Sequence, residues 1–63
     1  MKARQIEVFG EFGDLKHIEV TLEDGNHLFD AQWDPNDEQT EEKRIEFRQW
    51  VKRMVAQKGH QLT

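Results

Sequence analysis

The chain has 63 residues, of which 35% are hydrophobic and 35% are charged, with a net charge of −4 and no cysteine. This length supports one small domain, and the composition excludes disulfides, thiolate metal sites and a membrane-spanning helix, because no apolar run approaches ~20 residues. The N-terminus also lacks the apolar segment of a secretory signal, so we expect a soluble, cytoplasmic protein.

Three segments with alternating apolar residues predict β-strands over about 3–11, 16–23 and 27–33. Phe12-Gly13-Asp14 separates the first two strands and Asp24-Gly25 separates the second and third. Both stretches are typical of hairpin turns, because glycine adopts the positive φ that such turns require. The three strands are therefore expected to form an antiparallel meander.

The apolar faces of neighbouring strands should coincide, since a slip of one residue turns every side chain to the other face of the sheet. In the first hairpin, a three-residue loop pairs Val8 with Ile18 and so places Val8 in the core. The predicted core of the domain comprises Ile6, Val8, Ile18, Val20, Leu22, Phe29, Ala31, Trp33, Phe47, Trp50, Val51, Met54 and Val55.

The second hairpin allows two registers that differ by one residue in the position of the turn. One register pairs Val20 with Phe29, and the other pairs Leu22 with Phe29. The second register is slightly favoured because it separates Glu19 from Asp30, and like charges directly opposite each other destabilise a sheet.

One amphipathic helix is predicted over about 36–58, with Asp34 as the cap and Pro35 in the first turn. Carboxylates crowd its first turns and Lys and Arg its last, as the helix dipole favours, and Gly59 suits its end. The sequence therefore predicts an α+β fold of order β-β-β-α, in which the helix packs on one face of the meander. Residues 1–59 form a single domain in this interpretation, and residues 60–63 a frayed tail.

The uneven distribution of charge is the main functional signal. Residues 1–42 hold three Lys or Arg against twelve carboxylates, a net of −9, and residues 43–63 hold six Lys or Arg against one carboxylate, a net of +5. We expect a small non-enzymatic protein-interaction module, an accessory factor or inhibitor, that binds a basic protein partner through an acidic sheet face. The residues predicted to form that face are Glu7, Phe9, Glu19, Glu23, Leu28 and Asp30. Its size and acidity also resemble those of small phage or mobile-element accessory proteins.

Two other functions remain open at this point. The helix carries a basic set that could contact nucleic-acid phosphates, namely Arg44, Arg48, Lys52 and Arg53. An ordinary charged, solvated helix face is the simpler explanation of these residues. A self-associating structural protein is the third alternative, joined through an edge strand such as residues 4–10 or through Ile45. Monomer and homodimer are both left open.

No cofactor, metal site or catalytic centre is predicted. The segment 30–41 places oxygen ligands at calcium-loop spacing, but Pro35 stands where such a loop requires glycine, and a strand precedes it rather than a helix. The three histidines have no metal-site spacing, and serine and cysteine are both absent. A meander with one helix also offers no deep cleft in which a carboxylate could act as an acid or base.

Overall fold

The computed structural model describes residues 1–63. Its elements are β1 (Lys2–Phe9), β2 (Leu15–Leu22), β3 (His27–Gln32), α1 (Glu41–Gln57) and β4 (Gln61–Leu62). The strands form one sheet of order β3-β2-β1-β4, in which β1, β2 and β3 are antiparallel and β4 is parallel to β1. The predicted α+β arrangement, a three-stranded meander followed by one helix, is confirmed. The single helix has neither the length nor the apolar character needed to cross a membrane.

The last residues contain a short strand where a frayed tail was expected. Gly59 takes a positive φ of 84° after the helix, which turns the chain back toward β1. The Thr63 N–H then donates to the Ala3 carbonyl at 3.0 Å, and Leu62 packs against the core. The short β4 therefore covers one end of the β1 edge.

The helix begins later in the chain than predicted, because Thr40 rather than Asp34 is its cap. The Thr40 hydroxyl accepts a hydrogen bond from the Lys43 N–H at 3.1 Å. Asp34 instead closes a tight turn, in which its carboxylate accepts from the Asn36 N–H and its carbonyl from the Asp37 N–H, both at 3.0 Å.

The connection between β3 and α1 is tied to the sheet by Gln39. Its side-chain oxygen accepts from the Leu15 N–H at 2.9 Å, and its side-chain nitrogen donates to the Leu15 carbonyl at 2.6 Å. The amide of Gln39 thus pairs with the first residue of β2 as a neighbouring strand would. Leu15 is only 1% exposed, so these bonds satisfy backbone groups that have little access to water.

The core lies between the sheet and α1. Val51 and Val55 are the buried residues of the helix, and they belong to one cluster with Ile18 and Val20 of β2. The seven buried residues are Ala3, Leu15, Ile18, Val20, Ala31, Val51 and Val55. Trp50 was predicted in the core but is 42% exposed.

The register of the first hairpin differs by one residue from the prediction, so β1 is turned over. Val8 lies opposite His17 and Ile6 opposite Glu19, while Glu7 lies opposite the buried Ile18. The hairpin loop spans residues 10–14, and an irregularity between Val8 and Phe9 leaves β2 one extra residue. Ile6, predicted in the core, is consequently 48% exposed.

The second hairpin adopts the register that was not favoured. Val20 lies opposite Phe29, and Glu19 lies directly opposite Asp30. A second irregularity, near Leu28, leaves β3 with one extra residue and pairs Thr21 with His27. The like charges of Glu19 and Asp30 therefore did not decide the register, and Phe29 and Ala31 lie on the core side of β3 in either register.

Candidate functional site

The side of the sheet that faces away from α1 is termed the open face. Ile18 and Val20 point toward the helix, so the alternate residues of β2 point away from it, together with their cross-strand partners. These residues form three cross-strand sets of three side chains. The open face is Arg4, Thr21 and His27; Ile6, Glu19 and Asp30; and Val8, His17 and Gln32.

Two carboxylates lie side by side at the centre of the open face. Glu19 and Asp30 are directly opposite each other on β2 and β3. Neither carboxylate has a Lys or Arg nitrogen within 4 Å, even though Arg4 lies on the same face. Like charges in this arrangement repel each other across the strands. The centre of the open face is therefore an anionic pair without a permanent cationic partner.

A histidine lies beside each of these carboxylates. His17 Nε2 is 3.8 Å from Glu19 Oε1, and His27 Nε2 is 3.5 Å from Asp30 Oδ1. Both distances exceed that of a strong hydrogen bond. Each histidine adds a positive charge only when it is protonated.

The apolar part of the open face comes from the unexpected orientation of β1. Ile6 lies opposite Glu19 and is half exposed, and Val8 is partly exposed one pair further along. Branched aliphatic side chains beside a carboxylate pair give this surface both charge and apolar area.

Three of the six residues predicted for the acidic sheet face lie there or at its end. Glu19 and Asp30 are brought together at its centre. Glu23 is exposed just beyond β2, where its N–H donates to the Lys2 carbonyl at 3.0 Å. The face is thus less acidic than the alternation of residues suggested.

The other three predicted residues are placed elsewhere. Glu7 points toward α1, and its carboxylate accepts hydrogen bonds from Arg48 Nε at 2.6 Å and Nη2 at 3.0 Å. Phe9 lies opposite the buried Leu15 rather than on the open face, although half of its surface is exposed. Leu28, at the irregularity of β3, packs against the core. Their assignment to the open face was wrong because the register and the two irregularities cannot be read from alternation alone.

The basic residues of the helix do not form one free patch. Arg48 is held by Glu7, whose hydrogen bonds raise the pKa of the guanidinium above its ordinary value. Arg44 is partly buried, whereas Lys52 and Arg53 are exposed. Only the last two stand free at the surface, without a carboxylate within 4 Å.

A groove lined by aromatic rings was missed by the sequence reasoning. The Trp33 and Phe47 rings meet edge to face, with their centroids 5.1 Å apart. The Phe47 and Trp50 rings are stacked, with a centroid distance of 6.2 Å and an angle of 17° between their planes. Trp33 Nε1–H donates to the Asp37 carbonyl at 3.1 Å, which fixes the indole. The groove has a volume of about 360 Å³. These aromatics were assigned to the core, since apolar periodicity does not show which ring remains uncovered.

No group of three or more His, Asp or Glu side chains is arranged to hold a metal ion. In the segment that has calcium-loop spacing, Asp34 uses its carboxylate to close a turn with the Asn36 N–H. That segment thus connects β3 to α1.

No protein-family model, curated protein or solved structure is significantly similar to this chain. The function is therefore argued from the surfaces of this molecule alone.

Proposed function

We propose that this protein is a small, cytoplasmic, non-enzymatic protein-interaction module, an accessory factor or inhibitor that binds a basic surface of a protein partner. The binding surface is the open face, with Glu19 and Asp30 at its centre. Glu23 extends the negative charge at one end. Glu7 does not belong to this surface, because its carboxylate binds Arg48 of α1.

The observation that carries this proposal is the opposition of Glu19 and Asp30 without a Lys or Arg partner. Such a pair lowers the stability of the isolated sheet, and a lysine at either position would relieve the repulsion. A Lys or Arg side chain of a partner, placed between the two carboxylates, would convert repulsion into two charge-assisted hydrogen bonds. The arrangement is thus better suited to a complex than to the free protein.

Ile6 and Val8 supply the apolar area that such a complex requires. Charges chiefly steer the encounter and select the partner, whereas buried apolar contact contributes much of the affinity. Ile6 lies opposite Glu19, so one partner side chain with an aliphatic stem and a cationic end could contact both residues.

Affinity capture tests the proposal. Tagged protein is incubated with a lysate of its source organism, with and without nuclease, alongside the variant Glu19→Lys/Asp30→Lys and the matched control Glu38→Lys/Glu42→Lys. The control makes the same change of charge at exposed sites away from the open face. We expect a specific protein that survives nuclease, is lost with the first variant and is retained with the control.

Two results would contradict the proposal. Retention of the partner by the open-face variant would move the binding site elsewhere. Equal loss with both variants would mean that only net charge matters. Thermal unfolding of each variant shows that the fold is intact before binding is compared.

Nucleic-acid binding is the alternative function, and its support is the free, exposed pair Lys52 and Arg53. Titration of a labelled DNA duplex at low and at physiological salt distinguishes it. Binding through this pair would weaken steeply with salt, and Lys52→Gln/Arg53→Gln would reduce the slope by about two. A weak response that does not depend on salt eliminates this function.

Self-association is the remaining alternative. β4 pairs with only Lys2 and Ala3, so the rest of the β1 edge has no neighbouring strand, and Ile45 is half exposed on the helix. Sedimentation velocity over a range of protein concentrations tests it. A dimer that is lost with Ile45→Lys would implicate the helix, whereas a monomer at all concentrations removes this alternative.

A further inference from the structure

The aromatic groove between β3 and α1 has an uncompensated negative rim. Its charged lining consists of Asp34, Asp37 and Glu46 against Lys43 alone. The Lys43 ammonium is already paired with Asp37, and that ion pair raises the pKa of Lys43. Asp34 and Glu46 have no Lys or Arg nitrogen within 4 Å. The groove therefore presents aromatic faces beside two carboxylates that lack a cation.

One indole ring of this groove is largely accessible to solvent. Trp50 is 42% exposed although it lies on the same helix as the buried Val51 and Val55. It stacks on Phe47, and Phe47 in turn contacts Trp33, whose indole is fixed by its hydrogen bond to the Asp37 carbonyl. The rings are thus positioned before any ligand arrives, which lowers the entropic cost of binding.

We propose that this groove binds an arginine side chain of an extended basic segment in a partner protein. A guanidinium is planar, so it can stack on an indole face while its N–H groups donate to a carboxylate beside the ring. Asp34 and Glu46 provide such carboxylates, and Trp50 provides the exposed ring. The groove volume of about 360 Å³ lies at the small end of ligand sites, which suits one long side chain and its adjoining backbone.

The proposed arginine site is separate from the open face. The two surfaces share only Gln32, which lies opposite His17 on the open face and also lines the groove. The arginine site uses neither Glu19 nor Asp30. Its success or failure therefore does not depend on the function proposed for the open face.

Intrinsic fluorescence measures binding directly, because the only two tryptophans of the chain, Trp33 and Trp50, both line the groove. The probe is the peptide acetyl-(Gly-Arg)₃-amide, compared with its citrulline counterpart, which has the same shape but no charge, and with the lysine peptide. We expect a saturable change in emission with the arginine peptide, a weaker one with the lysine peptide and none with the citrulline peptide.

Variants of the groove identify the site. Trp50→Leu, in which Trp33 still reports binding, and Asp34→Asn/Glu46→Gln should each weaken binding roughly fivefold or more. Glu38→Gln/Glu42→Gln removes two carboxylates outside the groove, and Glu19→Gln/Asp30→Asn removes two from the open face. Both control variants should bind the arginine peptide nearly as the unmodified protein does.

Three outcomes would overturn the proposal. Equal responses to the arginine and citrulline peptides would exclude recognition of the charge. Equal affinity for the lysine peptide would exclude selection of the guanidinium. If either control variant bound the arginine peptide as weakly as the groove variants do, net charge alone would explain the binding. Far-UV circular dichroism of each variant confirms that the fold is retained, as the exposure of Trp50 leads us to expect.

Discussion

Arg48 of α1 donates hydrogen bonds to both carboxylate oxygens of Glu7 on β1, so one ion pair with two hydrogen bonds joins the helix to the sheet. Both side chains are partly shielded from water, with 36% and 22% of their surfaces exposed. The contact accounts for a carboxylate on the helix side of the sheet, since a paired and hydrogen-bonded carboxylate is tolerated where a lone one is not.

A double-mutant cycle measures how much this ion pair contributes to the free energy of unfolding. Glu7→Gln, Arg48→Gln and the double variant should give a coupling energy of about 1 kcal/mol by denaturant unfolding, at the upper end of the range for exposed pairs. The exposed pair formed by Asp37 and Lys43 is the internal comparison, and its coupling should be smaller. A coupling near zero for Glu7 and Arg48 would mean that water replaces the pair without loss.

Stability should fall with acid because of the same carboxylate. The hydrogen bonds from Arg48 hold the pKa of Glu7 below its ordinary value of 4.5. A carboxyl group with a lower pKa in the folded state contributes stability that is present above the unfolded pKa and is lost as pH falls through the folded pKa. We expect the free energy of unfolding to decline below about pH 4.5, and to decline less in Glu7→Gln.

Asp14 needs a separate control in that experiment. The hydrogen bond from Lys16 also lowers the pKa of the Asp14 carboxyl, although that side chain is more exposed than the side chain of Glu7. Asp14→Asn should therefore alter the pH profile less than Glu7→Gln does, because solvent screens an exposed pair. The opposite order would assign the acid sensitivity to the hairpin loop.

The register of β1 can be tested with two substitutions that should change stability in opposite directions. Gln5 lies on the helix side of the strand, and its side-chain oxygen is buried without a hydrogen-bond partner. Gln5→Leu should stabilise the protein by about 1 kcal/mol, because it removes an unsatisfied polar group and adds apolar contact. Ile6→Gln should cost less than about 0.5 kcal/mol, because Ile6 is half exposed. The register predicted from alternation would reverse both effects on Tm.

The two hydrogen bonds of the Gln39 side chain to Leu15 should contribute more to stability than the place of Gln39 in a connecting segment suggests. Gln39→Ala leaves the N–H and carbonyl of Leu15 without their partners, which should cost about 2 kcal/mol at roughly 1 kcal/mol per hydrogen bond. Gln39→Glu keeps the acceptor but loses the donor, so its cost should be intermediate if the carboxylate stays in place. Gln49→Ala, at an exposed helix position, is the control and should change Tm little.

The carboxylate pair of the open face should limit stability. Asp30→Lys places an ammonium opposite Glu19 and should raise the free energy of unfolding by roughly 0.2–1 kcal/mol. Asp30→Asn removes the repulsion without adding an attraction, so its gain should be smaller. A loss of stability in both variants would mean that Asp30 has a structural role that its contact with His27 alone does not explain.

Local pattern alone determined the types and the order of the three long strands and the helix, but not the short β4. The alternation of β2 and β3 indicated which residues point inward, and so correctly put Ile18 and Val20 in the core and Glu19 and Asp30 on the other side. Gly13 and Gly25 take positive φ as the turn chemistry predicts. These features depend on each segment's own sequence, so single-sequence reasoning reaches them.

Tertiary structure alone decided how the elements meet. In β1 the two faces compete closely, with Ile6 and Val8 on one side and Ala3, Gln5 and Glu7 on the other, and the irregularity beside Phe9 selects the second. One extra residue in β2 reverses the orientation of every side chain in β1, because the side-chain period of a strand is two. The exposure of Trp50 and the contact of Glu7 with Arg48 likewise depend on the position at which the helix packs on the sheet. That position is set by packing between distant segments, which no local pattern records.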